Sequence, residues 1–117
     1  MDKQLLGHLA ENAAAQYLQE QGYKILERNF RTALGELDII AEDGDYLVFV
    51  EVRSRKDSEY GLPQETVDWN KQSRVRRMAN QYLNNKFAWH RNCRFDVVAV
   101  LFKNEIVDSL ELLKDAF

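Results

Sequence analysis

The sequence predicts an α/β fold in which a mixed central sheet is flanked by helices. Two segments show helical periodicity, they alternate with β-rich segments, and one pair of β-rich segments is joined by a tight-turn signal. The chain has 117 residues, of which 45% are hydrophobic, and it contains one proline and no low-complexity tract. This length and composition suit a single domain over residues 1–117 that is large enough to bury a core.

The first segment is predicted to be a helix that begins after Asp2 and ends at Gly22. Its apolar residues recur at three-to-four spacing, as Leu6, Leu9, Ala10, Ala13, Ala14, Tyr17 and Leu18. Aspartate is a good N-cap, and glycine accepts the left-handed backbone that often ends a helix. Residues 23–30 are then predicted to form a strand, although charged residues interrupt its alternation.

Residues 37–41 and 46–52 are predicted to form a hairpin, because Asp-Gly between two β-rich runs is a strong hairpin signal. A loop of Asp43 and Gly44 would place Glu36 opposite Glu51, whereas a loop of Gly44 and Asp45 would place Asp38 opposite Glu51. Both registers give the same two faces, because side chains alternate along a strand. The face expected in the core carries Leu37, Ile39, Ala41, Val48, Val50 and Val52. The opposite face carries Glu36, Asp38, Glu51 and Arg53, followed toward the turn by Ile40, Leu47 and Phe49.

The second half of the chain is predicted to add a helix and one or two further strands. Residues 70–86 are predicted to be helical, with Pro63 and Asp68 supplying a turn and a cap before them. The buried stripe of this helix is expected to be Val75, Met78, Ala79, Tyr82 and Leu83. Residues 95–102 are predicted to form a strand and residues 106–113 a strand or a helix.

The charged end of the hairpin is the predicted site of chemistry. Asp38 and Glu51 would lie about 5–8 Å apart on neighbouring strands, and clustered carboxylates repel one another unless a cation compensates them. Arg53 and Arg55 supply part of that compensation, and Mg²⁺ would supply more, which favours metal-assisted hydrolysis of a phosphodiester. The apolar run at 48–50 favours a covered position for Glu51. The alternative is a solvent-facing sheet surface with ordinary charges.

Charge is unevenly distributed along the chain. The formal net charge of −3 argues against a generally basic nucleic-acid binder. Residues 69–94, however, contain seven Lys and Arg and no Asp or Glu, which makes this segment a candidate surface for a polyanion. Lys71, Arg74 and Arg77 on the second helix are predicted to contact phosphates. The alternative is that they form a solvated helix face.

Several residues are assigned structural roles only. Cys93 is the one cysteine, so an intrachain disulfide or a multi-Cys metal site is excluded. Trp69 and Trp89 lie beside helix ends and are expected to pack rather than to stack on bases. Asp96 is expected to make a structural hydrogen bond. Because no membrane span or signal-peptide pattern is present, the expectation is a soluble, cytoplasmic protein with no membrane partner.

Blocks of residues along nearly the whole chain resemble a known family. Gly35-Glu36-Leu37-Asp38-Ile39-Ile40 followed by Phe49-Val50-Glu51-Val52-Arg53 resembles the D…(D/E)xK signature of the restriction-endonuclease-like superfamily. The closer resemblance is to the YraN-like family of uncharacterised bacterial proteins, relatives of the archaeal Holliday-junction resolvases. Its further blocks are Gly7, Ala10, Glu11 and Ala14; Gly22-Tyr23; Arg28-Asn29-Phe30-Arg31; Val67, Lys71, Gln72 and Arg74; Arg94-Phe95-Asp96-Val97; and Ala116-Phe117.

The resemblance implies a restriction-endonuclease-like αβββαβ core and a nuclease-type site that uses Mg²⁺ or Mn²⁺. By position, Asp38 and Glu51 would be the metal ligands, Glu11 would approach the same site, and Glu36 would assist. Arg53 stands where the superfamily has a lysine. Arginine stays protonated and cannot act as a general base, but it can hold the attacking hydroxide or bind a phosphate.

Together these features predict a Mg²⁺-dependent endonuclease-like protein that acts on DNA, with branched or otherwise structured DNA as one candidate substrate. The predicted catalytic residues are Glu11, Asp38, Glu51 and Arg53, and the predicted nucleic-acid contacts are Arg55, Lys71, Gln72, Arg74 and Arg77. The alternative is a module of the same fold that binds nucleic acid without cleaving it. The resolvase relatives act as dimers, but the sequence carries no interface signature for a homodimer.

Overall fold

The computed structural model describes residues 2–56 and 67–117. Its elements are α1 (Lys3–Glu20), β1 (Lys24–Thr32), β2 (Gly35–Asp43), β3 (Tyr46–Lys56), α2 (Trp69–Lys86), β4 (Asn92–Lys103) and β5 (Ile106–Leu113). The predicted order is confirmed, and the last segment is a strand. The turn predicted at Pro63 lies outside the described residues. Neither α1 nor α2 is long and apolar enough to cross a membrane.

The five strands form one mixed sheet in the order β1-β2-β3-β4-β5. β1, β2 and β3 pair antiparallel as a meander, β3 pairs parallel to β4, and β4 pairs antiparallel to β5. A parallel pair needs a crossover connection, and α2 lies in the connection between β3 and β4. The predicted α/β class with a mixed sheet and an αβββαβ order is therefore confirmed.

The two helices cover opposite faces of the sheet. Alternating residues of β3 separate the two cores: Val48 and Val50 pack with α1, whereas Leu47 and Phe49 pack with α2. The α1 side also buries Leu6, Ala10, Ala14 and Leu18, and the α2 side buries Val75, Met78, Ala79 and Tyr82. The middle of β3 is therefore buried on both faces, as its continuous apolar run predicts.

Both helices begin at the aspartate predicted to cap them. An Asp2 side-chain oxygen accepts a hydrogen bond of 2.8 Å from the Leu5 N–H, and Asp68 accepts one of 2.8 Å from the Lys71 N–H. Each cap satisfies one of the backbone donors left open in the first turn of a helix. The cap at Asp68 also fixes where the first turn of α2 meets β3.

The hairpin register places the two predicted metal ligands just past the end of the strand pairing. Asp43 pairs with Tyr46, so the loop is Gly44-Asp45, and the register with an Asp43-Gly44 loop is wrong. The last pair away from the turn is Ile39 with Val50. Asp38 and Glu51 are the next residue on each strand.

The expected hairpin faces are wrong for the β2 residues before Ile39. Glu36 and Asp38 were expected on the same face as Glu51, but they line a cleft beside α1, whereas Glu51 contacts Lys71 of α2. Leu37 was expected on the same face as Ile39, but Leu37 packs with the α2 core and Ile39 packs with the α1 core. The reason is a local irregularity: β1 and β2 pair on either side of Asn29 and Asp38 but not at them, and Asn29 has φ +56°. Regular alternation does not continue through such a residue, so the side chains change face there.

Candidate functional site

Asp38 lies where β2 separates from β3. Its Oδ2 accepts a hydrogen bond of 2.9 Å from the Val52 N–H, so the side chain replaces the backbone acceptor that continued pairing would have supplied. This bond fixes the carboxylate between the two strands. Asp38 was predicted from the sequence as a metal ligand, and the end of the strand pairing explains the orientation of its side chain.

Glu51 is a buried carboxylate with little compensation. Its residue is 1% exposed, and Lys71 of α2 places its Nζ 3.1 Å from the Glu51 Oε1. Within residues 2–56 and 67–117, no group donates a hydrogen bond of good geometry to either carboxylate oxygen. A buried charge is costly unless it is paired and hydrogen-bonded, and Glu51 is paired but lacks the hydrogen bonds.

The two carboxylates act on each other electrostatically. Burial, followed by the negative charge of Glu51, raises the pKa of Asp38 to about 8. The Val52 N–H and the Lys71 ammonium lower that pKa, and the Glu11 carboxylate raises it further. A cation bound between Asp38 and Glu51 would relieve this repulsion.

Glu11 of α1 lines a cleft that Asp38 also lines. Its Oε1 accepts a hydrogen bond of 3.2 Å from Arg28, and its Oε2 accepts one of 3.0 Å from Asn29. The Asn29 Nδ2 also donates to Glu36, at 2.8 Å. Glu11, Asn29, Glu36 and Asp38 line a cleft of about 400 Å³ between α1 and the sheet. Glu51 does not line it.

Three carboxylates do not converge on one point. Across the described ranges, 2–56 and 67–117, no group of three His, Cys, Asp or Glu side chains is close enough to hold one ion. Glu11 is therefore a neighbour of the Asp38–Glu51 pair and not a third ligand in this arrangement. A pair of carboxylates still suits Mg²⁺, which is commonly held by one or two carboxylates with several waters and substrate phosphate oxygens.

The predicted nucleic-acid residues divide into two groups. Arg74 and Arg77 are exposed on α2, where a polyanion could reach them. Lys71 instead directs its ammonium at Glu51, and the Gln72 Nε2 donates 2.9 Å to the Val67 carbonyl, which holds the start of α2. Arg53, two residues beyond Glu51 on β3, is half-buried.

Arg55 is likewise half-buried on β3. It lies four residues beyond Glu51 on β3, in a pocket that Lys3, Leu6 and Phe102 also line. The predicted nucleic-acid residues therefore do not share one surface: Lys71 and Arg53 lie closer to Glu51, Arg74 and Arg77 are exposed on α2, and Arg55 lies farther along β3.

The role of Asn29 was not predicted from the sequence, and the packing predicted for both tryptophans is wrong. Asn29 joins Glu11 to Glu36, and the available signal was an asparagine inside a β-rich run, since asparagine is depleted in strands and tolerates positive φ. Trp69 and Trp89 were expected to pack, but they are 77% and 60% exposed. Helix-end aromatics pack only if a neighbouring element covers them, and sequence spacing does not show whether one does.

A second buried carboxylate, Asp96, has the structural role expected of it. It accepts hydrogen bonds from the Tyr23 hydroxyl at 2.7 Å, from Arg94 through two nitrogens at 2.8 Å, and from the Asp115 N–H at 3.0 Å. Arg94 also pairs with Asp43 at 2.8 Å. This network ties the C-terminal residues to the sheet.

Comparison with known proteins gives a match over most of the chain. The model of uncharacterised protein family UPF0102 matches residues 10–100, a stretch that contains every predicted site residue. A UPF0102 protein from Syntrophus aciditrophicus is 53% identical, over 95% of this chain and 87% of its own. Another, from Pelotomaculum thermopropionicum, is 52% identical over 98% of this chain and 97% of its own. A third, from Moorella thermoacetica, is 48% identical over 100% of this chain and 98% of its own.

Proposed function

The chain belongs to uncharacterised protein family UPF0102, the YraN family, and on that premise we propose that it is a Mg²⁺-dependent endonuclease that hydrolyses phosphodiester bonds in DNA. The observation that carries the proposal is the pair formed by Asp38 and Glu51. One carboxylate is fixed by the Val52 N–H, and the other is buried with an ion pair to Lys71 but no hydrogen bond of good geometry from a described residue.

The donor set fits a hard divalent cation. Asp38 and Glu51 would hold the ion through carboxylate oxygens, which Mg²⁺ and Mn²⁺ both accept. When bound, the ion would lower the pKa of a coordinated water and neutralise charge on the phosphate under attack. Two protein ligands leave the remaining coordination positions for water and phosphate.

Three residues around the carboxylate pair would bind phosphate or position water. Lys71 neutralises Glu51 in the absence of a cation. When a cation compensates Glu51, the Lys71 ammonium can instead pair with a phosphate oxygen. Arg53 stays protonated and therefore binds phosphate or orients the attacking hydroxide. Glu11, held by Arg28 and Asn29, lines the cleft beside Asp38 and orients water there.

DNA as the substrate class is supported by charge. Arg74 and Arg77 are exposed on α2, whose first turn also carries Lys71 beside Glu51. Contacts of this kind bind the sugar–phosphate backbone without reading base sequence. The resemblance to Holliday-junction resolvases makes branched DNA the first structured substrate to test.

The test is cleavage of labelled duplex and four-way-junction DNA in Mg²⁺, in Mn²⁺ and in EDTA. We expect products only with a divalent cation, and a loss of rate of about 100-fold or more in Asp38→Asn, because metal-assisted charge stabilisation contributes several kcal/mol. Asp45→Asn is the matched control, since Asp45 lies in the turn of the same hairpin and is exposed.

Two outcomes would contradict this function. Cleavage that persists in EDTA, or in Asp38→Asn at the wild-type rate, would show that the carboxylate pair is not the site of chemistry. DNA binding without cleavage under any metal would favour the alternative of a binding module with the same fold.

A further inference from the structure

The C-terminal end of α2 exposes two large aromatic side chains. Phe87 is 73% exposed and Trp89 is 60% exposed, and their ring centroids lie 5.5 Å apart in an edge-to-face arrangement. We refer to this pair as the aromatic platform. Grouped and exposed aromatic surface is uncommon on a protein without a partner and usually marks a contact site.

The backbone conformation of Phe87 is also unusual for a phenylalanine. Phe87 is the C-cap of α2, with φ +53° and ψ +42° in the left-handed region. Glycine or asparagine normally occupies such a position, and a bulky side chain there is strained. The ring recovers little of that cost by burial, so the stability of the fold does not account for a phenylalanine at this position.

Trp89 is held in place rather than loosely exposed. Its indole N–H donates a hydrogen bond to the Asn84 side-chain oxygen on the last turns of α2. With Phe87 against its ring, the indole therefore has a fixed orientation while most of its surface remains in solvent. A ring held in this way loses little conformational entropy when a ligand stacks on it.

The solvent side of α2 favours a polyanionic ligand. Between Trp69 and the platform, its exposed side chains are cationic or amide-bearing, namely Asn70, Arg74, Arg76, Arg77, Asn80, Gln81, Asn84, Asn85 and Lys86. No Asp or Glu occurs between residues 69 and 94. Glu42 is paired with Arg91 at 3.0 Å.

We propose that the aromatic platform stacks an unpaired base of a nucleic acid whose backbone follows the solvent side of α2. Aromatic rings beside a cationic track are how proteins bind single strands, because every base has a face that can stack. The proposal rests on the proposed function for the nature of the substrate, and it adds that the substrate has unpaired bases at a set distance from the carboxylate pair.

The length of α2 sets that distance. From Lys71 beside Glu51 to Phe87, the helix extends about 24 Å at 1.5 Å per residue. A strand of B-form duplex covers this length in about seven nucleotides. A substrate with a single-stranded segment or junction about seven nucleotides from the scissile bond could therefore engage both ends of α2.

Tryptophan fluorescence tests the proposal directly, because the chain has two tryptophans. Trp69→Phe leaves Trp89 as the only emitter. The measurement is a titration of this variant with the oligonucleotides dT12 and dT4 and with a blunt duplex, in EDTA and low salt, so that no cleavage occurs. We expect dT12 to quench Trp89 and to bind about tenfold more tightly than dT4, whereas the duplex leaves Trp89 emission nearly unchanged.

The Phe87→Asn substitution removes the aromatic ring without disturbing the fold. Asparagine accepts the left-handed backbone, so the helix cap and folding are retained. We expect this variant to bind dT12 about tenfold more weakly, the usual effect of losing one stacked base. The matched control is Ile106→Ser, which removes another side chain that is 70% exposed, at the opposite end of β4 from the platform.

The outcomes separate this proposal from the proposed nuclease function. Metal-dependent cleavage with no quenching of Trp89 by dT12 would overturn the platform proposal and leave the nuclease function standing. Quenching of Trp89, weakened by Phe87→Asn but not by Ile106→Ser, would support the platform even if no cleavage occurs. Unchanged dT12 affinity in Phe87→Asn would overturn the proposal, and a protein ligand would then become the candidate occupant.

Discussion

Two carboxylates are buried on neighbouring parallel strands, and their surroundings are opposite. Asp96 of β4 pairs in register with Val50, the residue next to Glu51 on β3, and the exposed fractions of Asp96 and Glu51 are 0% and 1%. Asp96 accepts four hydrogen bonds from Tyr23, Arg94 and the Asp115 N–H. Glu51 has one ion pair, to Lys71, and no hydrogen bond of good geometry from a described residue.

This difference separates a charge whose hydrogen bonds are satisfied from one whose hydrogen bonds are not. Buried polar atoms in proteins are almost always hydrogen-bonded, so each exception needs an explanation. Asp96 needs none, because Tyr23, Arg94 and the Asp115 N–H all donate hydrogen bonds to its carboxylate. The unsatisfied oxygens of Glu51 are explained if its partners include a metal ion, and that explanation predicts opposite behaviour for the two sites.

The largest expected effect is at the satisfied carboxylate. Asp96→Asn should lower the free energy of unfolding by about 3–5 kcal/mol, because it leaves the Arg94 guanidinium without its bidentate partner in a mostly buried position. Urea denaturation followed by circular dichroism measures the change. A loss below about 1 kcal/mol would show that the Asp96 network is not the structural anchor that its contacts indicate.

The second prediction concerns the unsatisfied carboxylate. Mn²⁺ at about one hundred times its dissociation constant should stabilise the wild-type protein by about 2.7 kcal/mol, since it binds the folded state only. Glu51→Gln and Asp38→Asn should abolish this gain, and Asp45→Asn should retain it. Thermal unfolding with and without Mn²⁺ measures the gain, and an equal gain in Glu51→Gln would place the ion elsewhere.

The sequence predicted the parts of this comparison that depend on local pattern. Aspartates at positions 2 and 68 predicted where the helices begin, and the apolar run at 48–50 predicted that Glu51 is covered. The choice between the two hairpin loops could not be made, because both place the same residues on each face. The same alternation rule gave the wrong face for Leu37, since it assumes a regular strand past Asn29.

The contacts that surround the two carboxylates are not local. Lys71 reaches Glu51 because α2 crosses back over β3, and Asp38 accepts the Val52 N–H because strand pairing stops at Ile39. Both facts depend on how elements separated in sequence are oriented. The cluster of carboxylates could indicate that a positive charge was needed nearby, but not that the fold places the Lys71 side chain there.

The third prediction uses the pH dependence of Asp38. Its pKa is about 8 in the folded protein, through burial and the Glu51 charge, with Glu11 adding and Lys71 and the Val52 N–H opposing. In the unfolded chain an aspartate has a pKa of about 3.9. Between these values the folded state keeps a proton that the unfolded state has released, so in EDTA the stability contributed at Asp38 is lost as pH rises from about 4 to about 8.

Asp38→Asn should remove this loss. The amide carries no charge to bury, so the variant is expected to be about 1–2 kcal/mol more stable than the wild type at pH 8 in EDTA, and to show no such gain near pH 4. Urea denaturation across this pH range measures it. A gain of equal size at pH 4 would mean that ionisation of Asp38 is not its cause.

The smallest expected effect is at Glu51 without metal. Glu51→Gln exchanges a buried charge that lacks hydrogen bonds for a neutral group of the same shape, while Lys71, which is partly exposed, can turn toward solvent. The gain from losing a desolvated charge and the loss of one ion pair nearly cancel, so stability in EDTA should change by less than about 1 kcal/mol. A loss as large as that of Asp96→Asn would show that Glu51 is as structural as Asp96, and its unsatisfied oxygens would then no longer indicate a metal ion.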